Sequence, residues 1–220
     1  MARIVAITLL LATLAAPVGA DQQPVAEVKT PLSSDKALVA ECGIGDLVAD
    51  ALRSQTGADL ALVNGSALRS PYTIDKGPVT EQTLKKALAY PDEKVATLKL
   101  KGSTVIAALE RGLALLPKPN KGFLQISGLK VWYDPSQPPD HRVNLVEHKD
   151  KRLSPDHVYR VAMPNALAKG GLGYFRIFEG APYQASEVTM AQALVAHARA
   201  VKVIDLDPAK KPRYRDIRPK

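Results

Sequence analysis

The sequence has 220 residues, of which 46% are hydrophobic and 24% charged, and its formal net charge at pH 7 is +8. This length suits one domain with a full hydrophobic core. A single cysteine excludes an internal disulfide, and after the first residues no apolar run is long enough to cross a membrane.

The first twenty residues have the layout of a secretory signal peptide. Arg3 precedes an apolar run from Ile4 to Ala16, and residues 18–20 are small enough for a cleavage site. A membrane anchor is the alternative, but Pro17 interrupts the run, which is shorter than the roughly 20 residues that span a bilayer. We therefore expect residues 1–20 to be removed and the mature chain to be secreted or periplasmic.

Residues 21–36 are expected to form a leader that crosses the surface of the domain. The segment is polar, contains Pro24 and Pro31, and shows no apolar periodicity. Regular structure should then begin near Ala37, and the domain should extend over residues 37–204.

Helices and strands are predicted to be interspersed through this domain. Apolar residues recurring every three or four positions predict helices that begin near Ile44, Thr80, Ser103 and Ser186 and end near Gly57, Leu88, Pro117 and Arg199. Apolar runs predict strands within residues 59–63, 95–100, 123–133, 143–147, 158–162 and 201–204. The pattern indicates one α/β domain of the α+β type.

The last residues, 205–220, are rich in lysine and arginine. Such a segment can attract nucleic acid or an anionic envelope surface. It lacks the interleaved aromatic residues of a stacking platform, so we expect a solvated basic tail and no nucleic-acid partner.

The four histidines show no metal-binding spacing. His141, His148, His157 and His197 form no His-x-His, Asp-x-His or His-Glu-x-x-His arrangement, and a hydrolase with two metals needs clustered ligands. No Gly-x-Ser-x-Gly or Walker motif occurs either. The sequence therefore predicts no catalytic residue, no metal site and no cofactor.

Five segments match one known family in order and spacing. They are ECGIGDLVADAL (Glu41–Leu52), ADLALVNGSALRS (Ala58–Ser70), LKLKGSTVIAALE (Leu98–Glu110), GFLQISGLKVWYD (Gly122–Asp134) and YRVAMPNALAKGGLGY (Tyr159–Tyr174). Together they resemble the C-terminal domain of the 5'-nucleotidase and UDP-sugar hydrolase family.

The resemblance implies a layered sandwich of mixed sheets and helices that binds the nucleotide. In this family a separate N-terminal metallophosphatase domain holds two metals and the catalytic groups, and the resemblance covers only the C-terminal domain. We therefore expect a binding or accessory module of nucleotide catabolism, which would act with a separate metallophosphatase.

The resemblance also assigns binding residues. The family's Asn and Arg in Asn-Gly-Gly-Gly-Ile-Arg match Asn64 and Arg69, although a turn or a surface ion pair with Asp75 would explain them equally well. One ring of the family's base sandwich corresponds to Tyr90, if the chain shifts by one residue. The second ring corresponds to Ala166.

The glycine segment departs from the family in one position. Gly170, Gly171 and Tyr174 match the hallmark Gly-Gly-Asp-Gly-Tyr and are expected at the ligand site, but Leu172 replaces the Asp that holds the ribose hydroxyls. Phe175 and Phe178 are candidates to replace the ring that is missing at Ala166.

These replacements predict a weak site. A stacking ring contributes roughly 1–3 kcal/mol, and hydrogen bonds to a charged group about 1.5–3 kcal/mol. Loss of one of each weakens binding on the order of a hundredfold to ten-thousandfold. The alternative function is a non-enzymatic envelope interaction protein that keeps the scaffold and has lost the nucleotide pocket.

Overall fold

Strands and helices follow one another throughout residues 23–218, the range that a computed structural model describes. The strands are β1 (Pro24–Val28), β2 (Leu32–Ser33), β3 (Leu60–Asn64), β4 (Thr73–Ile74), β5 (Gly77–Thr80), β6 (Lys94–Lys101), β7 (Leu124–Ser127), β8 (Lys130–Tyr133), β9 (Val143–His148), β10 (Lys151–Arg152), β11 (Val158–Pro164), β12 (Tyr183–Thr189), β13 (Val203–Ile204) and β14 (Tyr214–Asp216). The helices are α1 (Gly43–Thr56), α2 (Glu81–Lys86), α3 (Gly102–Leu113), α4 (Asn165–Ala168), α5 (Phe175–Phe178) and α6 (Met190–Val201), with 3-10 turns at Gly65–Ala67 and Gly171–Gly173.

The centre of the fold is a five-stranded mixed sheet with the order β12-β6-β11-β3-β7. Strands β3 and β11 are parallel neighbours, and the other pairs in this sheet are antiparallel. A four-stranded sheet, β10-β9-β8-β14, and a three-stranded sheet, β13-β1-β5, accompany it. The predicted layered arrangement of mixed sheets and helices is confirmed.

The central sheet separates two hydrophobic cores. Along β3, Ala61 and Val63 face the core that contains α1, α6 and the three-stranded sheet. Leu60 and Leu62 face the other core, which contains α3 and the four-stranded sheet. This alternation follows from the two-residue period of a strand that is covered on both faces.

Two helix starts differ from the sequence prediction because the capping residue is different. Helix α6 begins after Thr189, whose side chain accepts the N–H of Gln192 in a capping box, so the residues from Ser186 to Thr189 belong to β12. Helix α3 begins at Gly102, without a side-chain cap from Ser103. Helix α2 begins where it was predicted, after Thr80, whose Oγ1 accepts the N–H of Thr83 at 3.3 Å.

The prediction of an irregular leader over residues 21–36 is wrong for the part of it that the structure describes. Strand β1 pairs with β5 and β13, and β2 pairs with β4. Val28 and Leu32 are completely buried in the core around α1 and α6. Short strands whose partners are distant in sequence show no local periodicity, which explains the error.

The predicted signal peptide, residues 1–20, lies outside the described range. Within residues 23–218, no helix has the length and apolar character needed to cross a membrane.

The prediction of a solvated tail over residues 205–220 is also wrong, because its described part enters the fold. Strand β14 pairs in parallel with β8. The Tyr214 side chain is buried, and its hydroxyl donates to the Leu124 carbonyl at 2.8 Å.

Arg213 attaches this C-terminal segment to α1 through buried charges. Its Nη2 lies 2.7 Å from Asp50 Oδ2 and its Nε 3.4 Å from Asp46 Oδ1. The Glu41 carboxylate accepts the backbone N–H groups of Arg213 and Tyr214 at 2.8–2.9 Å. Burial raises the pKa of Asp46 to about 9, against the opposing charge of Arg213. The raised pKa favours the protonated form of Asp46 at neutral pH, so the close ion pair of the Arg213 guanidinium is the one with the half-buried Asp50.

Arg213→Ala should destabilise the protein by about 1–3 kcal/mol, because the half-buried Asp50 carboxylate loses its counter-charge and the Ile126 carbonyl loses its donor. Urea unfolding at pH 7 measures this loss. The control is Arg152→Ala, which removes an exposed arginine of β10 and should change the free energy of unfolding by less than about 0.5 kcal/mol. Equal effects of the two substitutions would contradict the role assigned to Arg213.

Candidate functional site

The candidate site lies at the edge of the central sheet where β3 and β11 both end. The two strands run in parallel, with Leu60 opposite Val161 and Ala61 opposite Ala162. Their carboxyl ends, and the loops that follow them, therefore meet on one side of the molecule. Loops that a rigid sheet places side by side in this way often carry binding groups.

The loop after β3 is held by close backbone contacts. Gly65 donates its N–H to the Phe123 carbonyl at 2.7 Å. A Cβ at Gly65 would lie 2.1 Å from the Ala37 carbonyl oxygen, so only glycine fits there. Asn64 is nearly buried, and its Nδ2 donates to Ser66 Oγ at 3.0 Å. Asn64 has a φ of −67°, which excludes the left-handed turn considered from the sequence.

Arg69 has a fixed backbone and an exposed side chain. Its N–H donates to the Ala87 carbonyl at 2.9 Å, and its own carbonyl accepts from Ser34 Oγ at 2.6 Å. Its guanidinium forms no hydrogen bond or ion pair with any described residue, Asp75 included. The side chain is therefore available to an anionic ligand.

A cleft of about 590 Å³ adjoins this loop and contains Tyr90 and Ala166, the two positions assigned to the family's base sandwich. Tyr90 is 62% exposed. The neighbouring Ala89 donates its N–H to the Ala67 carbonyl at 2.9 Å, which connects the cleft to the loop that carries Arg69.

Glu93 links the two walls of this cleft and was not found by sequence reasoning. Its Oε1 accepts the backbone N–H of Ala166 at 2.7 Å, and its carbonyl accepts the N–H of Met190 at 2.8 Å. No local sequence pattern marks this residue, because its partners lie in distant segments.

The glycine segment after β11 needs its glycines for backbone packing. Gly170 has a φ of +86°, and a Cβ there would lie 2.4 Å from the Cα of Phe175. A Cβ at Gly171 would lie 2.8 Å from the carbonyl oxygen of Ala166, the position in the cleft. Arg111 Nη2 donates to the Leu172 carbonyl at 3.0 Å. The segment thus packs beside the cleft.

Tyr174 is a core residue, although the sequence resemblance assigned it to the ligand site. Its side chain is completely buried, and its hydroxyl donates to the Gly122 carbonyl at 2.6 Å. The ring stacks on Phe178, with the ring centroids 5.4 Å apart. Because Phe178 is also buried, only Phe175, which is 62% exposed, remains as a replacement ring.

Metal ligands do not cluster in the part of the chain that the structure describes. Within residues 23–218, no group of three or more His, Cys, Asp or Glu side chains is placed so that it could hold a metal ion.

Comparison with known proteins identifies the family. The model of the "5'-nucleotidase, C-terminal domain" family matches residues 20–180. The chain belongs to this family. Human 5'-nucleotidase is 30% identical over 161 residues, and these cover 64% of this chain and 28% of that protein. Snake venom 5'-nucleotidase from Naja atra is 30% identical over 157 residues, which cover 62% of this chain and 30% of that protein. The match therefore spans less than a third of the length of either relative.

Two solved structures share the fold. The 5'-nucleotidase precursor from Thermus thermophilus superposes on 90% of this chain and 40% of its own chain, with a TM-score of 0.79 and 29% identity. The NAD nucleotidase from Haemophilus influenzae, at 15% identity, covers 90% of this chain and 39% of its own, with a TM-score of 0.77, and supports the fold alone.

Tyr174→Phe should destabilise the protein by about 1–3 kcal/mol, because the buried Gly122 carbonyl loses its donor. Chemical denaturation measures the loss. Tyr183→Phe is the matched control, since its hydroxyl also donates a hydrogen bond, to Asn165, but its side chain is 43% exposed. A loss as large in the control as in Tyr174→Phe would contradict the assignment of Tyr174 to the core.

Proposed function

We propose that this protein is a secreted, non-catalytic module that binds a nucleotide or another phosphorylated small molecule at the edge where β3 and β11 end. The observation that carries the proposal is the exposed guanidinium of Arg69, which has no partner among the described residues and stands on a rigid loop. An arginine fork of this kind suits a phosphate group.

The arrangement of the cleft suggests an orientation for the ligand. The phosphate would contact Arg69, with the amide of Asn64 as a nearby polar group. The base would stack on Tyr90, which lines the cleft together with Ala89. Glu93 makes a phosphate on the Ala166 side unfavourable, because its carboxylate accepts a backbone N–H there and would repel the anion. We expect the phosphate on the side of Arg69.

The affinity should be low. Ala166 provides no second ring, and Leu172 provides no carboxylate for the ribose hydroxyls. Phe175, exposed on the segment that packs beside Ala166, is the available replacement for the ring. A dissociation constant in the millimolar range follows if Phe175 makes no contact.

Hydrolysis, in this proposal, belongs to a separate metallophosphatase. The family resemblance supports this division, because the matching domain is the one that binds the nucleotide. Secretion is supported by the signal-peptide pattern of residues 1–20.

AMP at millimolar concentration should raise the melting temperature of the protein, and calorimetric titration should give saturable binding. Arg69→Ala should weaken binding about tenfold to a hundredfold, which corresponds to the roughly 1.5–3 kcal/mol of hydrogen bonds to a charged group. Tyr90→Ala should weaken binding of AMP and leave binding of ribose 5-phosphate unchanged, because only AMP has a base to stack.

Arg152→Ala serves as the control, since it removes an exposed arginine outside the candidate edge. If AMP, UDP-glucose and ribose 5-phosphate all fail to stabilise the wild type, the binding proposal is wrong. A non-enzymatic interaction protein that uses the surface of this fold then becomes the better account. Phosphate release with added Mn²⁺ or Zn²⁺ that persists after repurification would contradict the non-catalytic part.

A further inference from the structure

A second cleft lies at the other end of the central sheet, where β3 begins and β7 ends. Asn64 pairs with Leu124 at the candidate edge, and Ala61 pairs with Ser127 toward the other end of the same two strands. Beyond Ser127, a cleft of about 650 Å³ opens between the end of β7, the turn from β9 to β10 and the C-terminal segment. The proposed nucleotide site does not involve this cleft.

The cleft is strongly basic. Lysine and arginine side chains outnumber aspartate and glutamate side chains seven to three along its walls. Two of the three carboxylates are already engaged, because Asp50 contacts Arg213 and Ser127, and Asp150 contacts Lys130 at 2.5 Å. A cleft lined by one sign of charge concentrates its electrostatic potential and attracts counter-ions.

Arg53 lines this cleft and is held in position by its neighbours. Its Nε donates to Ser127 Oγ at 2.7 Å, and the Ser127 hydroxyl in turn donates to Asp50 Oδ1. Its Cδ packs over Gly128, where a Cβ would lie 3.3 Å away. The two terminal nitrogens of Arg53 have no partner among residues 23–218, so they remain available for an anion.

Arg215 is fixed by a different contact. Its guanidinium carbon lies 4.9 Å from the centroid of the Trp132 ring, the residue opposite it in the pairing of β14 with β8. A cation–π contact uses the face of the guanidinium and leaves its N–H edges free for hydrogen bonds. Two arginines with restricted side chains therefore line the same cleft.

Two lysines add flexible charge at the rim. Lys149 and Lys211 are exposed and form no ion pair with any residue in the described range. Together with Arg53 and Arg215 they make four cations without a carboxylate partner. A ligand with a single negative charge would neutralise only one of these four.

We propose that this basic cleft binds a small, multiply charged phosphate compound, independently of the ligand at the candidate nucleotide edge. The two arginines would hold phosphate oxygens through their N–H groups, and the lysines would neutralise the remaining charge. The volume of the cleft, about 650 Å³, suits a small molecule.

Inorganic tripolyphosphate is the probe, and isothermal titration of the full mature protein at low ionic strength is the measurement. We expect saturable binding that is tighter than binding of orthophosphate and that weakens at least tenfold as the salt concentration rises, because exposed charges are screened. Arg53→Gln combined with Arg215→Gln should weaken binding by at least tenfold. Arg69→Ala should leave tripolyphosphate binding unchanged, which distinguishes this cleft from the candidate site where β3 and β11 end.

A second pair of variants changes only exposed residues, so that a loss of binding does not result from unfolding. Lys149→Glu with Lys211→Glu reverses two exposed charges at the cleft and should also weaken binding at least tenfold. Lys76→Glu with Lys118→Glu makes the same change in net charge on exposed residues elsewhere and should have a much smaller effect. Equal loss in the two pairs, or no saturable binding by the wild type, would overturn the proposal. Binding of long-chain polyphosphate without binding of tripolyphosphate would also overturn it, because the ligand would then be a polymer.

Discussion

The parallel pairing of β3 with β11 is the constraint on which the rest of the structure depends. Because neighbouring parallel strands end at the same edge, the loop that carries Arg69 and the glycine segment that begins at Gly170 are placed side by side. The antiparallel strands β6 and β7 begin at this edge, so the turn containing Tyr90 arrives there as well. The candidate site is thus a product of sheet topology, and the glycines at positions 65 and 170 allow its loops to pack closely.

The segments at both ends of the described range pack into the domain. The C-terminal one also makes the second cleft basic. Strand β1 covers the core around α1 and α6, and β14 extends the four-stranded sheet. Arg213 fixes the C-terminal segment through its ion pair with Asp50, and the basic residues beside it form one wall of the second cleft. Stability and surface charge at this cleft therefore come from the same short segment.

The sequence predicted the elements whose evidence is local. Helix α1 and strand β3 have continuous apolar patterns, and the Asn64 and Arg69 positions follow from a contiguous family motif. Contacts between distant segments were missed: Glu93 meets Ala166 across 73 positions, and Arg53 meets Ser127 across 74. The terminal strands were missed for the same reason, since short strands are stabilised by partners that periodicity does not reveal. Tyr174 matches the family motif, but its ring is buried in the core. A sequence motif does not show whether a side chain is buried.

The central claim is that ligand binding occurs where β3 and β11 end, and amide chemical-shift mapping by NMR tests it most directly. When AMP is titrated into isotope-labelled protein, the account predicts that the largest shifts fall on residues 64–69, 89–94 and 165–175. Shifts centred on residues 127–130 and 147–150, at the opposite edge, would contradict it, as would an unchanged spectrum at millimolar AMP.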